Sequence, residues 1–276
     1  MILIEVVPTH TLYNGADMSN NIRVTYFDTA MVLIEVDGLR LLTDPVLDPA
    51  GSAFDYGPLH LEKTSPASVT PDQLGHIDAV LLSHEQHGDN LDRAGRELLL
   101  RVPRVLTTPE SAASLGGTAE GLSAWQSVTL RGSASGGVMV TAVPAQHGPD
   151  GTQEMTGTVT GFLITTGDKK TIYVSGDTVP FPGTDEIVSR YAPVDLAILH
   201  LGRVQLGPIA GATYSLSAEE AIRYAQALGA RKVVPVHFEG WAHFTEGREQ
   251  AERAFAASGI AGRTLWPRSG ETAVID

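Results

Sequence analysis

Apolar positions in this chain fall in short runs, separated by turn signals and interleaved with a few helical patterns. Arg23–Phe27 and Ala30–Val36 read as strands, and Asp37-Gly38 is a hairpin signal between Val36 and the next strand, Leu39–Leu42. Asp44-Pro45 breaks that sheet pattern. Thr70-Pro71 predicts a helix start, with threonine as cap and proline at the first helical position. Ala79–Leu82 is continuously apolar and reads as a buried strand, followed by a helix over Leu91–Val102. Arg104–Leu106 is a short strand and Pro109–Leu115 a short helix. Strands then crowd the middle of the chain, at Ser127–Leu130, Val138–Val143, Gly161–Thr166, Thr171–Val174 and Asp195–Leu199. Ser217-Ala218-Glu219-Glu220 is a capping box that opens a helix to about Leu228, with Gly229 as its stop. Lys232–Val236 is the next strand, and a last helix covers roughly Glu249–Ala257.

The order is β-rich then αβ, twice over. That suggests two similar halves with sheets inside and helices outside, an α/β chain with room for two sheets. A length of 276 residues suits one such domain, 1–276, with residues 1–20 as an irregular extension. The net charge of −13 excludes a basic nucleic-acid footprint. The chain has no cysteine, so disulfides, cysteine-zinc sites, iron–sulfur clusters and cysteine nucleophiles are excluded, and a transition metal would need histidine and carboxylate. No basic n-region opens the chain and no long apolar stretch follows, which points to a soluble cytoplasmic protein without stable membrane association.

The chemistry lies at the strand ends. Four times an apolar run stops and a metal-type ligand follows at once: Leu82-Ser83-His84, Pro144-Ala145-Gln146-His147, Val174-Ser175-Gly176-Asp177 and Pro235-Val236-His237. Ligands placed there are rigidly held while their heads stay open to substrate. Neutral imidazole and carboxylate suit zinc, and a carboxylate such as Asp177 can bridge two ions. Gly176 before it permits close backbone approach.

Taken in order, Leu41-Leu42-Thr43-Asp44-Pro45, the 83–90 segment, Gln146-His147-Gly148-Pro149, Ser175-Gly176-Asp177-Thr178 and Val236-His237-Phe238 resemble the metallo-β-lactamase superfamily. The similarity is to its branch with the phosphorylated-ascorbate lactonases and N-acyl-phosphatidylethanolamine phospholipase D, from about Ile22 onward. It implies a four-layer αββα sandwich, two mixed sheets flanked by helices. The superfamily signature His-x-His-x-Asp-His is not matched throughout. With Asp89 in the signature's Asp position, His87 is the second histidine, His84 lies one residue further away, and Asn90 stands where the last histidine belongs. The other alignment puts Gln86 at the second histidine and loses the register of Asp89; the first keeps two imidazoles and the carboxylate.

By resemblance, His84, His87 and His147 would hold one metal ion, and Asp89, bridging Asp177 and His237 a second. Asn90 offers only a neutral amide oxygen, so one or two Zn²⁺ are expected, with Mn²⁺ or Fe²⁺ as harder alternatives at the second site. The expected activity is hydrolysis by a metal-activated water, first of an ester- or lactone-type bond in a small-molecule substrate. The alternatives are a phosphodiesterase of phospholipase-D type and a metal-binding relative without catalysis. Asp89 would orient the water or take its proton, and His243 and His200 are candidates to protonate the leaving oxygen. Asp44 is either a turn cap or an acceptor for a ligand histidine. Tyr56 and Trp241 read as packing more than pocket lining. Gly132–Gly137 reads as a hairpin loop and not a phosphate cradle, and no Gly-x-Ser-x-Gly elbow occurs. A homo-oligomer is compatible with the sequence, which does not specify one.

Overall fold

The computed structural model describes residues 21–57, 59–132, 137–206 and 209–276. The expectation for residues 1–20 and the centre of the 132–137 loop lie outside them. In chain order the elements are β1 (Ile22–Asp28), β2 (Met31–Val36), β3 (Leu39–Thr43), β4 (Ala53–Tyr56), β5 (Leu59–Glu62), β6 (Ala79–Leu81), α1 (Arg93–Leu99), β7 (Val105–Thr107), α2 (Pro109–Leu115) and β8 (Ala119–Gly121). There follow β9 (Ser127–Leu130), β10 (Val138–Pro144), α3 (Gln153–Thr156), β11 (Thr160–Thr165), β12 (Thr171–Val174), α4 (Pro182–Tyr191), β13 (Leu196–His200), α5 (Ala218–Ala227), β14 (Lys232–Val236), α6 (Arg248–Ala256) and β15 (Thr272–Ile275).

Two mixed sheets form the centre. The first runs β15-β1-β2-β3-β6-β7-β8 and the second β14-β13-β12-β11-β10-β9. Side-chain alternation explains their stacking. Val32, Ile34 and Val36 of β2 enter one apolar cluster with Val138 and Val140 of β10 and Ile198 of β13, so they fill the space between the sheets. Met31 and Leu33 point the other way, into a cluster with Leu98 and Leu99 of α1. In β13, Leu196 and Ile198 face the first sheet, while Ala197 and Leu199 meet Ala221 and Ala225 of α5 and Phe255 of α6. Strands buried on both faces need an apolar residue at nearly every position, which is why they read as continuous runs. The result is the expected four layers, helix–sheet–sheet–helix.

Two details correct the sequence reading. Thr70-Pro71 opens a turn instead of a helix, closed by Gln73 N–H and Leu74 N–H on the Thr70 carbonyl. The helix expected from Leu91 begins at Arg93, and its cap is Asp92, which accepts from the Gly95 N–H.

Strand direction positions the chemistry. β3 and β6 are parallel, and so are β12, β13 and β14. β10 is antiparallel to β11, which is antiparallel to β12, so β10 also runs with β12. His84, His147, Asp177, His200 and His237 all follow or end strands of these parallel sets. The β4–β5 hairpin closes over this edge through Ala242 N–H to the Glu62 carbonyl and Thr64 N–H to the Gly240 carbonyl. Among the described residues no helix is long and apolar enough to cross a membrane.

Candidate metal centre

Backbone strain gathers where the strands release these side chains. Asp44 (φ 29°), Thr29 (φ 48°) and His237 (φ 62°) all lie in the left-handed region, which costs non-glycine residues of order 1–3 kcal/mol each. His237 is held there by its N–H on the Thr29 carbonyl (2.6 Å). Gly176, at φ +61°, has no room for a side chain: an added Cβ would lie 2.6 Å from the Thr160 carbonyl oxygen. The approach that places Asp177 thus depends on glycine, as its sequence position suggested.

Two triads result. Ring nitrogens of His84, His87 and His147 converge in one, and Asp89, Asp177 and His237 in the other, with the ligand atoms of each set within 4.8 Å of one another. In the first, His84 Nε2 lies 3.0 Å from His87 Nδ1, which lies 3.2 Å from His147 Nε2. The far nitrogens of these rings are engaged. His84 Nδ1 donates to Ser83 Oγ (2.9 Å), His147 Nδ1 donates to the Tyr214 carbonyl, and His87 lies beside the Met155 backbone, which favours a proton on its far nitrogen. The nitrogens that face each other consequently carry lone pairs. Three lone pairs this close repel unless a proton or cation sits among them, and tetrahedral zinc bonds of about 2.0–2.1 Å would separate its nitrogen ligands by about 3.3 Å.

In the second triad, His237 Nε2 is 3.4 Å from Asp89 Oδ2 and 3.4 Å from Asp177 Oδ1. His237 Nδ1 donates to the Leu201 carbonyl (3.0 Å). His237 Nε2 and Asp177 Oδ1 are both buried without a hydrogen-bond partner, an arrangement that a shared cation would satisfy. Asp177 Oδ2 lies 3.6 Å from His147 Nε2, so its two oxygens face both triads. The residues present fit a pair of divalent ions on these observations.

Asn90 is buried between the carboxylates. Its amide is satisfied when the nitrogen donates to Asp89 Oδ1 and Asp177 Oδ2, each at 3.2 Å, which turns its oxygen toward Ser83 Oγ. A chain then runs from His84 Nδ1–H through the Ser83 hydroxyl to Asn90 and on to both carboxylates. It leaves His84 Nε2 free of its proton.

Burial pushes the His84 imidazole well below its ordinary pKa, lowers His87, and brings His147 down to about 3. Burial also lowers His237, but the Asp177 and Asp89 carboxylates outweigh it and raise this imidazole to about 9. Burial would raise Asp89, yet the imidazoles of His237 and His243 beside it, the latter hydrogen-bonded to it, hold it well below the usual carboxylate range. Asp177 rises to about 6 because its burial exceeds the attraction of His237 and His200.

The remaining candidates divide by position. His243 Nε2 is 3.0 Å from Asp89 Oδ2, and its Nδ1 is buried without a partner. His200 is enclosed: Nδ1 donates to Ser175 Oγ (3.1 Å) and Nε2 faces Asp44 Oδ2 (3.3 Å). Burial brings His200 down to about 3 and raises Asp44 to about 7, so below neutrality the Asp44 carboxyl carries the proton and shares it with His200. Asp44 also accepts from the Ser83 N–H (2.7 Å), which fixes the residue before His84.

A cavity of about 40 Å³ opens over His87, Asp89, His147 and His243. Its walls come from Tyr56, Leu59 and Leu61 of the β4–β5 hairpin and from Val204, Leu206 and Tyr214 of the 204–214 loop. His200 is not among the lining residues. Tyr56 thus lines the pocket, contrary to the sequence expectation, whereas Trp241 packs on Phe54 as expected. The role of Tyr214 carried no sequence signal. It depends on Gly148 (φ +105°), where an added Cβ would lie 2.4 Å from the tyrosine ring.

The profile of the Beta-lactamase superfamily domain matches residues 39–238. A UPF0173 metal-dependent hydrolase of Pyrococcus horikoshii is 27% identical over 192 residues, covering 68% of this chain and 78% of the relative. Another, of Pelotomaculum thermopropionicum, is 33% identical over 174 residues, covering 59% of this chain and 68% of the relative. Among solved structures, an isothiocyanate hydrolase from Delia radicum gut bacteria superposes with a TM-score of 0.77 at 24% identity, over 92% of this chain and 99% of that one. Igni18, a metallo hydrolase from Ignicoccus hospitalis, superposes with a TM-score of 0.70 at 22% identity, over 93% and 99% of the two chains. The layered sheets, the strand-end ligands and the extent of the profile match together show that this chain belongs to the β-lactamase superfamily domain family, with the metallo-β-lactamase fold.

Proposed function

We propose that this protein is a metal-dependent hydrolase of an ester- or lactone-type bond in a small molecule. The observation that carries the reading is the pair of convergent triads at the floor of one pocket. The relatives named metal-dependent hydrolases support the reaction class. In this reading His84, His87 and His147 would hold one ion, and Asp89, Asp177 and His237 a second. A divalent ion held there, zinc or a harder ion at the second set, would supply the Lewis acidity that activates water near neutral pH and polarises a substrate oxygen.

The side chains divide the other tasks. Asp89 faces the pocket and is fixed by His237 and His243, so it orients the water and accepts its proton. His243 shares that floor and bonds Asp89 through Nε2, and as an imidazolium it would give the proton on its otherwise unpartnered Nδ1 to the leaving oxygen. We do not give His200 that task, because both of its nitrogens are occupied away from the pocket. It supports Asp44 and the backbone that aims His84.

The test is turnover of a panel of neutral lactones and esters by protein loaded with zinc or manganese. Hydrolysis that disappears in His147→Ala is expected. A fully loaded protein inert toward the panel sinks this reading, and turnover of bis-nitrophenyl phosphate alone moves it to phosphodiesters.

A further inference from the structure

The walls above the triads are built from hydrocarbon. Leu59 and Leu61 on one side and Val204 and Leu206 on the other face a space closed by Met155. Met155 (36% exposed) and Ile209 (46% exposed), on the 204–214 loop, extend this apolar character to the surface. Among the described residues no lysine or arginine lines the pocket. The cations on the wall-building segments are committed elsewhere: Lys63 to Asp28 (2.6 Å), Arg93 to Asp48 (3.3 Å), Arg96 to Glu85 (2.6 Å) and Arg203 to Glu246 (3.6 Å). A charged group held beside these walls would lose its water with nothing in exchange.

Tyr56, Thr156 and Tyr214 bring hydroxyls to this lining, and the Tyr214 hydroxyl stands apart. The Tyr214 hydroxyl is buried and finds no hydrogen-bond partner among the described residues; the nearby Ile209 backbone does not reach bonding geometry. The residue is only 3% exposed, so solvent does not satisfy it. A buried hydroxyl without a partner is costly unless a ligand supplies one.

From this lining we infer that the substrate is a small uncharged molecule with an apolar body, one heteroatom of which bonds to the Tyr214 hydroxyl. The inference rests on the hydrolase reading for which bond is cut, but not for what fills the pocket. The apolar body lies along the hairpin and the 204–214 loop, and the scissile group lies over Asp89 and His147.

Alkyl hydroxamates are suitable probes, because their head group binds zinc and their tail length is free. Calorimetry with the zinc-loaded protein should show affinity rising about three- to fourfold per added methylene from two to six carbons. A tail of equal length ending in carboxylate should bind at least tenfold more weakly than its neutral counterpart. Tyr214→Phe should weaken every member severalfold, up to about tenfold, without changing the slope. Leu206→Lys should remove the discrimination against the carboxylate. No gain with chain length, or a preference for the charged tail in the unaltered protein, overturns the inference, and failure to take up zinc overturns it together with the hydrolase reading. Ester turnover separates the two claims. Length-dependent binding without turnover sinks the hydrolase alone, and turnover with length-independent binding sinks the pocket assignment alone.

Discussion

Asn90 stands where the superfamily signature places its last histidine, and here its amide does different work. It donates to both carboxylates of the second triad and turns its oxygen to the serine that fixes His84. Asn90→Ala should therefore weaken metal binding at the Asp89–Asp177–His237 set by roughly 10–100-fold, as removal of an outer partner commonly does. Asp177→Ala, which deletes the group facing both triads, should cost far more. Titration calorimetry of the two variants checks this, and equal losses would contradict the ligand assignment. The raised pKa of His237 supplies a second prediction. Its folded value of about 9 exceeds the unfolded value of about 6.5, so its stabilisation is complete below pH 6.5 and disappears as pH rises through 9. Chelator-treated protein should lose stability between pH 7 and 9, by at most about 1.4 kcal/mol per pH unit. Denaturant midpoints should fall with pH in the wild type and stay level in His237→Gln; a level wild type would contradict the charge assignment. The sequence exposed His84, His147, Asp177 and His237 because each follows an apolar run, and His87 and Asp89 because they share the 83–90 segment with His84. It concealed Tyr214, whose position depends on a ring lying over Gly148, a contact 66 residues away in the chain for which no local pattern exists.

At the level of elements, the pocket wall is pinned by an ion pair that the sequence did not reveal. Lys63, just beyond β5, is fully buried and 2.6 Å from Asp28 at the end of β1. Burial raises the Asp28 carboxyl, and Lys63 offsets this. The pair joins the hairpin to the bend that holds His237. Lys63→Met should destabilise the protein by about 3–5 kcal/mol, because the charge of Asp28 is left unpaired, and Asp28→Asn in the same chain should restore much of that loss. A denaturation cycle over the four proteins reads the coupling, and additive effects would show that the pair is not the pin. Strands buried on both faces, such as β2 and β13, were legible from apolar runs. The hairpin was not, since its side chains are mostly half-exposed. Nor was α4, whose start carries Pro182 and Gly183, residues usually read as turn.

On the scale of the whole molecule, two sheets with parallel strands deliver the ligands to one edge. The first sheet supplies His84, His87 and Asp89 through the segment after β6, and the second supplies His147, Asp177 and His237 through β10, β12 and β14. Each triad draws on both sheets, so the site forms only when the sheets are packed. Metal binding should then stabilise the fold as a whole, since an ion that binds only the folded state shifts the equilibrium toward it. The sequence carried the order and spacing of these segments, but not the convergence in space, which depends on strand direction and sheet stacking.

The most direct measurement is metal content, by elemental mass spectrometry, of protein purified after growth with zinc or manganese. About two ions per chain are predicted for the wild type, about one for His237→Ala, with the His84–His87–His147 set still loaded. A wild type that retains no transition metal after such growth would contradict the account at its centre.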